Sequence, residues 1–551
     1  MIIKTLYSQD EKIDIESYLI KCGIPESEVE DFIYPDGSHL DEPYAYLNMR
    51  QAVEFIREVL ENKNNKVTLI CDSDADGILS SSLIFRFLVH EGLDKDNIKV
   101  LFHEGKQHGI EDWMIQEIKE WSNYLIVPDA GTNDVVQCKE LSDSVKILIL
   151  DHHNIDEDNP YAIIINNQAK KNLNHDLCGT GVAFKFITAY YNPPIDMLPD
   201  EPFFNDLSYK FMADMVAVAN ISDVMNMSSF ENRTFNYFAL GFILTPFLKF
   251  LIDNEVEHMP TPTDIAFKIS PLINAVCRLD GEIEKKRALF MSFADIAQTE
   301  EDYQETLSIC KWAKNKQKSE VDRILKTIES EVENFKNFAI VFVPKTPYTG
   351  LIANKLLDKY NKPIFVVHEE NGLISGSARS PIPIKNILDE SGYMVISGGH
   401  DKACGIGWNQ ENTNALFSYL DQLDIDLQND EIEVCQSFKA NDIPNNIFYE
   451  FESYEELWGS GLPAPLFHVK NIRIKGKDIK AIGSNKTTIQ FNVGNVKFIQ
   501  FFVSKEKQEK LGVGKKDEIE FSVIVTLERN IFRDRSYKQC TIKDFVSIKN
   551  E

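Results

Sequence analysis

Three aspartates at alternate positions, Asp72, Asp74 and Asp76, stand in the run Asp-Ser-Asp-Ala-Asp-Gly at 72–77. Like charges held a few ångströms apart raise one another's pKa, so such a cluster calls for a counter-charge. A hard divalent cation supplies one. Asp129, the triplet Asp151-His152-His153 and Asp223 could add ligands. Oxygen donors with one imidazole suit Mn²⁺ or Mg²⁺ better than zinc, for which thiolates or several histidines are expected. The set is large enough for two ions, and an ion pair about 3.5–4 Å apart activates a water and stabilises the leaving oxygen of an in-line phosphoryl displacement. Phosphoester hydrolysis is the chemistry this pattern suits. An EF-hand is disfavoured, because Leu83 stands where the bidentate glutamate of that loop would be. Taken singly each acid reads as an ordinary loop residue, and Asp223 as a helix cap; only together do they point to a site.

Each acidic group needs a rigid element in front of it. Residues 66–71 form a short β-branched and apolar run that predicts a strand ending at Asp72, and 78–89 has helical periodicity. The pattern repeats at 124–128 before Asp129 and at 146–150 before Asp151. Apolar strands alternating with helices predict an α/β fold with a mostly parallel, doubly wound sheet, whose ligands bind at the carboxyl ends of the strands. The three acidic loops then face one cleft. Gly77 is expected to permit a tight turn into the following helix. Upstream, 1–45 reads as an acidic, turn-rich lead-in, with 33–43 as a loop before a helix at 47–60. Downstream, 182–189, 209–220 and 232–251 read as helices, and 300–335 as one long charged helix joining two lobes. A second, smaller α/β unit begins at Phe338, with a helix at 350–360. From Leu466 the alternation predicts a small antiparallel barrel.

A chain of 551 residues, 43% of them hydrophobic, can hold two to four domains. Its nine cysteines are scattered without a C-x-x-C pair and read as reduced, mostly buried thiols. No export signal or membrane span is read in the sequence, so a cytoplasmic protein without membrane contact is expected. The net charge of −28 argues against a polyanion partner, yet residues 467–551 carry 18 Lys and Arg against 10 Asp and Glu. A basic module follows an acidic body. Phe491, Phe498, Phe501, Phe502, Phe532 and Tyr537 lie among those cations, the composition with which OB folds stack bases and track a single strand.

The order of motifs resembles the DHH phosphoesterase family and, within it, RecJ-like single-stranded-DNA-specific exonucleases. Asp72 to Gly77 looks like the first motif, Asp129 the second, Asp151-His152-His153 the name-giving third and Asp223 the fourth. The segment Ile273-Asn-Ala-Val-Cys-Arg278-Leu is similar to one that follows the fourth motif. Gly376-Ser-Ala-Arg379-Ser and Gly398-Gly399-His400-Asp-Lys-Ala-Cys-Gly405 look like the signatures of the DHH-associated domain, and Leu457 to Phe467 like the entry to the OB fold. The resemblance runs from about residue 35 to 548.

It implies a lead-in at 1–45, a DHH catalytic domain at 46–298, a connecting helix at 299–336, a DHH-associated substrate-binding domain at 337–455 and an OB-like domain at 456–551. It also implies two Mn²⁺ or Mg²⁺ ions on Asp72, Asp74, Asp76, Asp129, His152 and Asp223, with Asp76, Asp129, Asp151, His152 and His153 as the catalytic set. By the same resemblance Asp151 orients the histidines and His153 contacts the scissile phosphate. Arg278, Arg379, His400 and the amides of Gly398 and Gly399, in a Gly-rich turn, hold substrate phosphates. The implied activity is 5′-to-3′ hydrolysis of single-stranded DNA to mononucleotides in recombination, repair or replication, beside a single-strand-binding protein or a helicase. Two departures stand out: Ile70 occupies a position where the family pattern has histidine, and Ala378 one where it has glycine. The alternatives are a phosphodiesterase of short oligoribonucleotides or cyclic dinucleotides, and a catalytically silent replication scaffold.

Overall fold

The computed structural model describes residues 2–550 except 9, 193–212, 296, 329, 425–430, 484–485, 502 and 533–534; the side chains at 358, 400, 452, 529–532, 535–537 and 549–550 also lie outside it. Val67–Cys71, Ile98–Phe102, Tyr124–Pro128, Lys146–Asp151 and Ile163–Asn166 form a five-stranded sheet. Every pairing in it is parallel, and Val67–Cys71 lies between Ile98–Phe102 and Tyr124–Pro128. All five residues of Val67–Cys71 are buried, as are those of Tyr124–Pro128, because helices cover both faces. The strand Ile98–Phe102 lies at one edge and continues the strand-then-loop pattern read at the other three positions.

The helix after the first acidic loop is Ala75–His90, and Gly179–Tyr191 packs beside it. The 232–251 expectation is corrected: helices Phe230–Leu240 and Pro246–Glu255 are separated by a break that Gly241 and Pro246 impose. The 209–220 expectation falls partly outside the described residues, and a helix spans Asp214–Ser222. The connecting helix is shorter than read. It spans Glu300–Ile328, and the chain then extends into the short strand Glu333–Asn334.

The second unit is a six-stranded mixed sheet that includes Ala339–Phe342, Ile364–Glu370, Leu373–Arg379, Met394–His400 and Ala403–Asn409. Gly398 and Gly399 therefore belong to a strand, paired with Gly405 and Cys404, rather than to the turn expected. Only Gly399, at φ 107°, needs glycine's conformational freedom.

The last unit is a seven-stranded sheet. It is not wholly antiparallel, because Ser437–Lys439 and Val496–Gln500 each join a neighbour in parallel. Phe491 and Phe498 stack at 5.1 Å inside it, whereas Phe501 is half exposed. Phe502 and the side chains of Phe532 and Tyr537 lie outside the described residues.

The loop read at 33–43 is present, between helix Val29–Ile33 and the turn Pro43–Ala45, but the residues before it form regular elements. Ile2–Thr5 pairs in parallel with Glu431–Val434, and helices Ile15–Lys21 and Val29–Ile33 follow. Tyr18 sets its ring edge-on to Phe451 and Trp458, each at 5.8 Å, and donates to the Pro463 carbonyl at 3.0 Å. Ile15, Tyr18, Leu19 and Phe32 are buried by this docking, so local acidity misrepresents a segment whose apolar face finds its partner far along the chain.

Candidate active site

The Val67–Cys71 strand delivers Asp72 to the carboxyl edge of the sheet. Asp74 caps the following helix, its side chain accepting the Gly77 amide at 3.1 Å. Asp76, in the first helical turn, accepts the amides of Gly179 and Thr180 at 2.7 and 2.8 Å and the Thr180 hydroxyl at 2.5 Å. Two helix N-termini thus point into one acidic cluster, where their dipoles favour negative charge. Gly77 serves close approach rather than a turn: a Cβ there would lie 2.5 Å from Asp72 Cβ. Gly179 does the same for Asp129, whose Oδ1 and Cα would lie 2.4 and 2.7 Å from such a Cβ.

Asp129 itself has φ 69°, a left-handed conformation rare outside glycine and characteristic of strained functional positions. It aims its carboxylate at His152. The His152 Nε2 lies 3.2 Å from Asp129 Oδ1, 3.6 Å from Asp223 Oδ2 and 3.8 Å from Asp76 Oδ2. Burial pushes His152 down to about 4, with the neighbouring His153 acting in the same direction, so the ring is neutral at physiological pH. Burial and the surrounding aspartates push Asp129 and Asp223 well above the usual carboxylate range. Buried and without hydrogen-bond partners among the described residues are His152 Nε2, Asp129 Oδ1 and Asp72 Oδ1.

Orphaned donors of this kind, drawn together from separate elements, fit a divalent ion that takes oxygen and imidazole ligands. Three overlapping groups bring ligand atoms within 4.8 Å of one another: Asp129, His152 and His153; Asp76, His152 and Asp223; and Asp72, Asp74 and Asp129.

Asp151 stands behind the histidines. Its Oδ1 accepts the amides of His152 and His153 at 2.7 and 3.1 Å and His153 Nδ1 at 2.8 Å, while Oδ2 accepts the Thr132 amide at 3.0 Å. These bonds outweigh burial and hold Asp151 well below the usual carboxylate range. Burial lowers His153, but its bond to Asp151 prevails and raises its pKa. With Nδ1 held, Nε2 is the ring nitrogen left for a substrate.

One cleft of about 950 Å³ brings Asp72 and Asp74 together with Lys106, Arg278, Arg379 and the strand glycines Gly398 and Gly399. A Cβ on Gly350 would come within 2.7 Å of Arg379 Nη2, so that glycine makes room for the guanidinium. The His400 backbone pairs with Ala403, and its side chain lies outside the described residues.

Three residues that follow the Ile98–Phe102 strand were not singled out from the sequence: Lys106 and His108, which line this cleft, and the buried His103. His108 Nδ1 lies 2.8 Å from Asp72 Oδ2, and Asp72 pushes it up to about 10. His103 Nδ1 lies 3.3 Å from Asp72 Oδ1, while its two ring nitrogens face the carbonyls of Cys71 and Gly109 at 3.1 and 2.6 Å. Burial would raise Asp72, and His108 and His103 reverse that and lower it. Ile70, where the family pattern has histidine, is buried in the sheet's apolar core, and two imidazoles of a neighbouring loop lie beside Asp72.

Residues 66–219 match the model of the DHH family, N-terminal domain, and 436–544 that of the RecJ OB domain. Two segments of the chain thus match a DHH domain model and a RecJ OB domain model, and its fold is RecJ-like. The chain is 28% identical over 490 residues to the putative SPbeta prophage-derived single-strand DNA-specific exonuclease YorK of Bacillus subtilis (strain 168), covering 82% of each chain. With the single-stranded-DNA-specific exonuclease RecJ of Thermus thermophilus it shares 23% identity over 448 residues, 78% of this chain and 63% of that protein. The crystal structure of Thermus thermophilus RecJ in complex with Mn²⁺ superposes with a TM-score of 0.73 at 16% identity, over 99% of this chain and 79% of that one. All nine cysteines are free, and all but Cys22 are buried. Among the described residues no helix is long and apolar enough to cross a membrane.

Proposed function

We propose that the chain is a divalent-metal-dependent exonuclease that hydrolyses single-stranded DNA in the 5′-to-3′ direction, releasing mononucleotides, in recombination, repair or replication. One observation carries the reading: Asp72, an orphaned acid of the cluster, and Asp74 share a cleft with a cationic wall of Lys106, Arg278 and Arg379. The RecJ OB domain, and relatives whose names specify single-stranded DNA, support a long strand as substrate over a cyclic dinucleotide.

Asp72, Asp74, Asp76, Asp129, His152 and Asp223 would hold Mn²⁺ or Mg²⁺, one ion or two. Bound there, the metal would supply Lewis-acid activation of water and offset developing charge on the phosphoryl oxygens. Asp151 fixes the His153 ring, whose free Nε2 would donate to a non-bridging oxygen of the scissile phosphate. His108, paired with Asp72, keeps that carboxylate ionised. Arg278 and Arg379 would clamp phosphate oxygens, which guanidinium geometry suits, and the amides of Gly398 and Gly399 and the side chain of His400 would complete the wall. The OB domain would feed the strand towards the cleft. A single-strand-binding protein or a helicase is the kind of partner that would present such a strand.

The test is Mn²⁺-dependent digestion of a long single strand labelled at either end, with Asp129→Ala beside the wild type. Mononucleotides from the 5′ label and an inert variant are expected. Binding without cutting by the wild type would sink the nuclease reading and favour a scaffold. Hydrolysis confined to short oligoribonucleotides would favour the small-substrate alternative.

A further inference from the structure

The strand Ile98–Phe102 is the open edge of the five-stranded sheet: it pairs with Val67–Cys71 on one side, and among the described residues no strand covers the other. A groove of about 680 Å³ runs along that edge. One wall is the helix Asp112–Trp121, which contributes Trp113 and Trp121, and the other is Ile283–Ala294, which contributes Ile283 and Phe290. Trp113 and Ile283 are 46% and 42% exposed, large apolar side chains left in water beside an unpaired backbone edge. Three cations against two acids line the groove although the chain carries a net charge of −28, and Arg287 lies 3.7 Å from Glu284 in an exposed pair. Lys95, Lys99 and Arg287 line the groove with Asp96 and Glu117; Lys99 lies 4.8 Å from the Trp121 ring centre, and Lys66 reaches the same ring at 5.4 Å. Lys99 also pairs with Glu117 at 3.1 Å, an exposed contact that another carboxylate can replace.

We infer that this groove is a docking site for an extended peptide of alternating acidic and apolar residues, added as a sixth strand to the sheet. Strand addition satisfies the edge's amides and carbonyls, while pockets for alternate side chains give selectivity. The five-residue edge accommodates a partner segment of roughly 17 Å. A carboxylate in that segment meets Lys99 and Arg287, and its apolar residues cover Trp113 and Ile283. A second copy of this chain is the poorer occupant, since its own edge would bring Lys95 and Lys99 against the same cations.

The probe is a fluorescein-labelled ten-residue peptide alternating Glu or Asp with Ile or Phe, titrated into the full chain. Anisotropy reports binding, and tryptophan emission reports burial of Trp113. Saturable binding is expected, at least tenfold tighter than for the same peptide with Lys in place of its acids. It should weaken at least tenfold in a Lys99→Glu/Arg287→Glu variant whose melting curve matches the wild type. N-methylating alternate peptide amides should abolish binding in one register and spare it in the other. The inference is overturned by lack of saturation, by equal affinity for acidic and basic peptides, by indifference to both N-methylated registers, or by concentration-dependent dimerisation that the double variant removes. None of these measurements depends on the metal or the cleft, so they stand or fall apart from the nuclease reading.

Discussion

Replacing Gly179 by alanine tests whether the acidic cluster is held by backbone proximity. The added Cβ would meet Asp129 Oδ1 at 2.4 Å and Asp129 Cα at 2.7 Å, whereas ordinary contact begins near 3.4 Å. Either the N-terminus of Gly179–Tyr191 or the Asp129 loop must retreat by about 1 Å, and the second obstacle is backbone, which cannot swing away. Displacement of that size costs about 100-fold in rate where reacting groups must be aligned. It also stretches the bond by which the Gly179 amide holds Asp76 at 2.7 Å. Alanine is the better helix former by about 1 kcal/mol, so strain and propensity oppose each other in the melting temperature, whereas only strain touches the site. The assay is Mn²⁺-dependent digestion of single-stranded DNA at saturating substrate, with Mn²⁺ affinity by calorimetry and thermal melts on the same preparation. About 100-fold lower kcat, weakened Mn²⁺ binding and little change in melting are expected. Wild-type turnover with a raised melting temperature would refute the reasoning, because the helix would then have absorbed the methyl group without moving either acid.

Burial, with Arg278 and Arg379 nearby, lowers Lys106 to about 7. An anion in the cleft favours the charged amine, so affinity for a 5′-phosphorylated strand should be greatest below pH 7 and fall as pH rises through that value. Binding to Asp129→Ala protein between pH 6 and 9 measures this, and Lys106→Met should flatten the profile. Tyr18→Ala removes a buried ring from Phe451 and Trp458 together with a hydrogen bond to Pro463, so a loss of about 3–5 kcal/mol in urea unfolding is expected, with turnover per folded molecule preserved.

The catalytic lobe was legible because its rule is local. A buried strand followed at once by a polar loop located Asp72, Asp129 and Asp151, and the parallel sheet then brought them together. The same rule applies to Ile98–Phe102, yet Lys99 interrupts its apolar run and the His103-to-His108 loop carries no aspartate, so its share of the cleft went unseen. Pairing of His108 with Asp72 is a fact of space, not of spacing. The connecting helix was read too long because the charged residues after Ile328 have no helix-breaking glycine or proline to mark its end. At Gly241 and Pro246 such marks were present, and the apolar periodicity on either side outweighed them. Gly398 and Gly399 read as a turn by composition, whereas pairing with Ala403–Asn409 makes them strand.

The docking of the first helices onto the far end of the chain bears on how the molecule is made. Tyr18 and Pro463 are separated by 445 positions, and closing a loop of that length costs on the order of 5 kcal/mol in chain entropy. At roughly 5–20 residues per second, a ribosome needs tens of seconds after producing Tyr18 before Pro463 exists. Ile15, Tyr18 and Leu19 wait through that interval without their native partners. A segment made well before its partner is therefore among the last to reach its place, and its apolar face stays uncovered until Pro463 has been made.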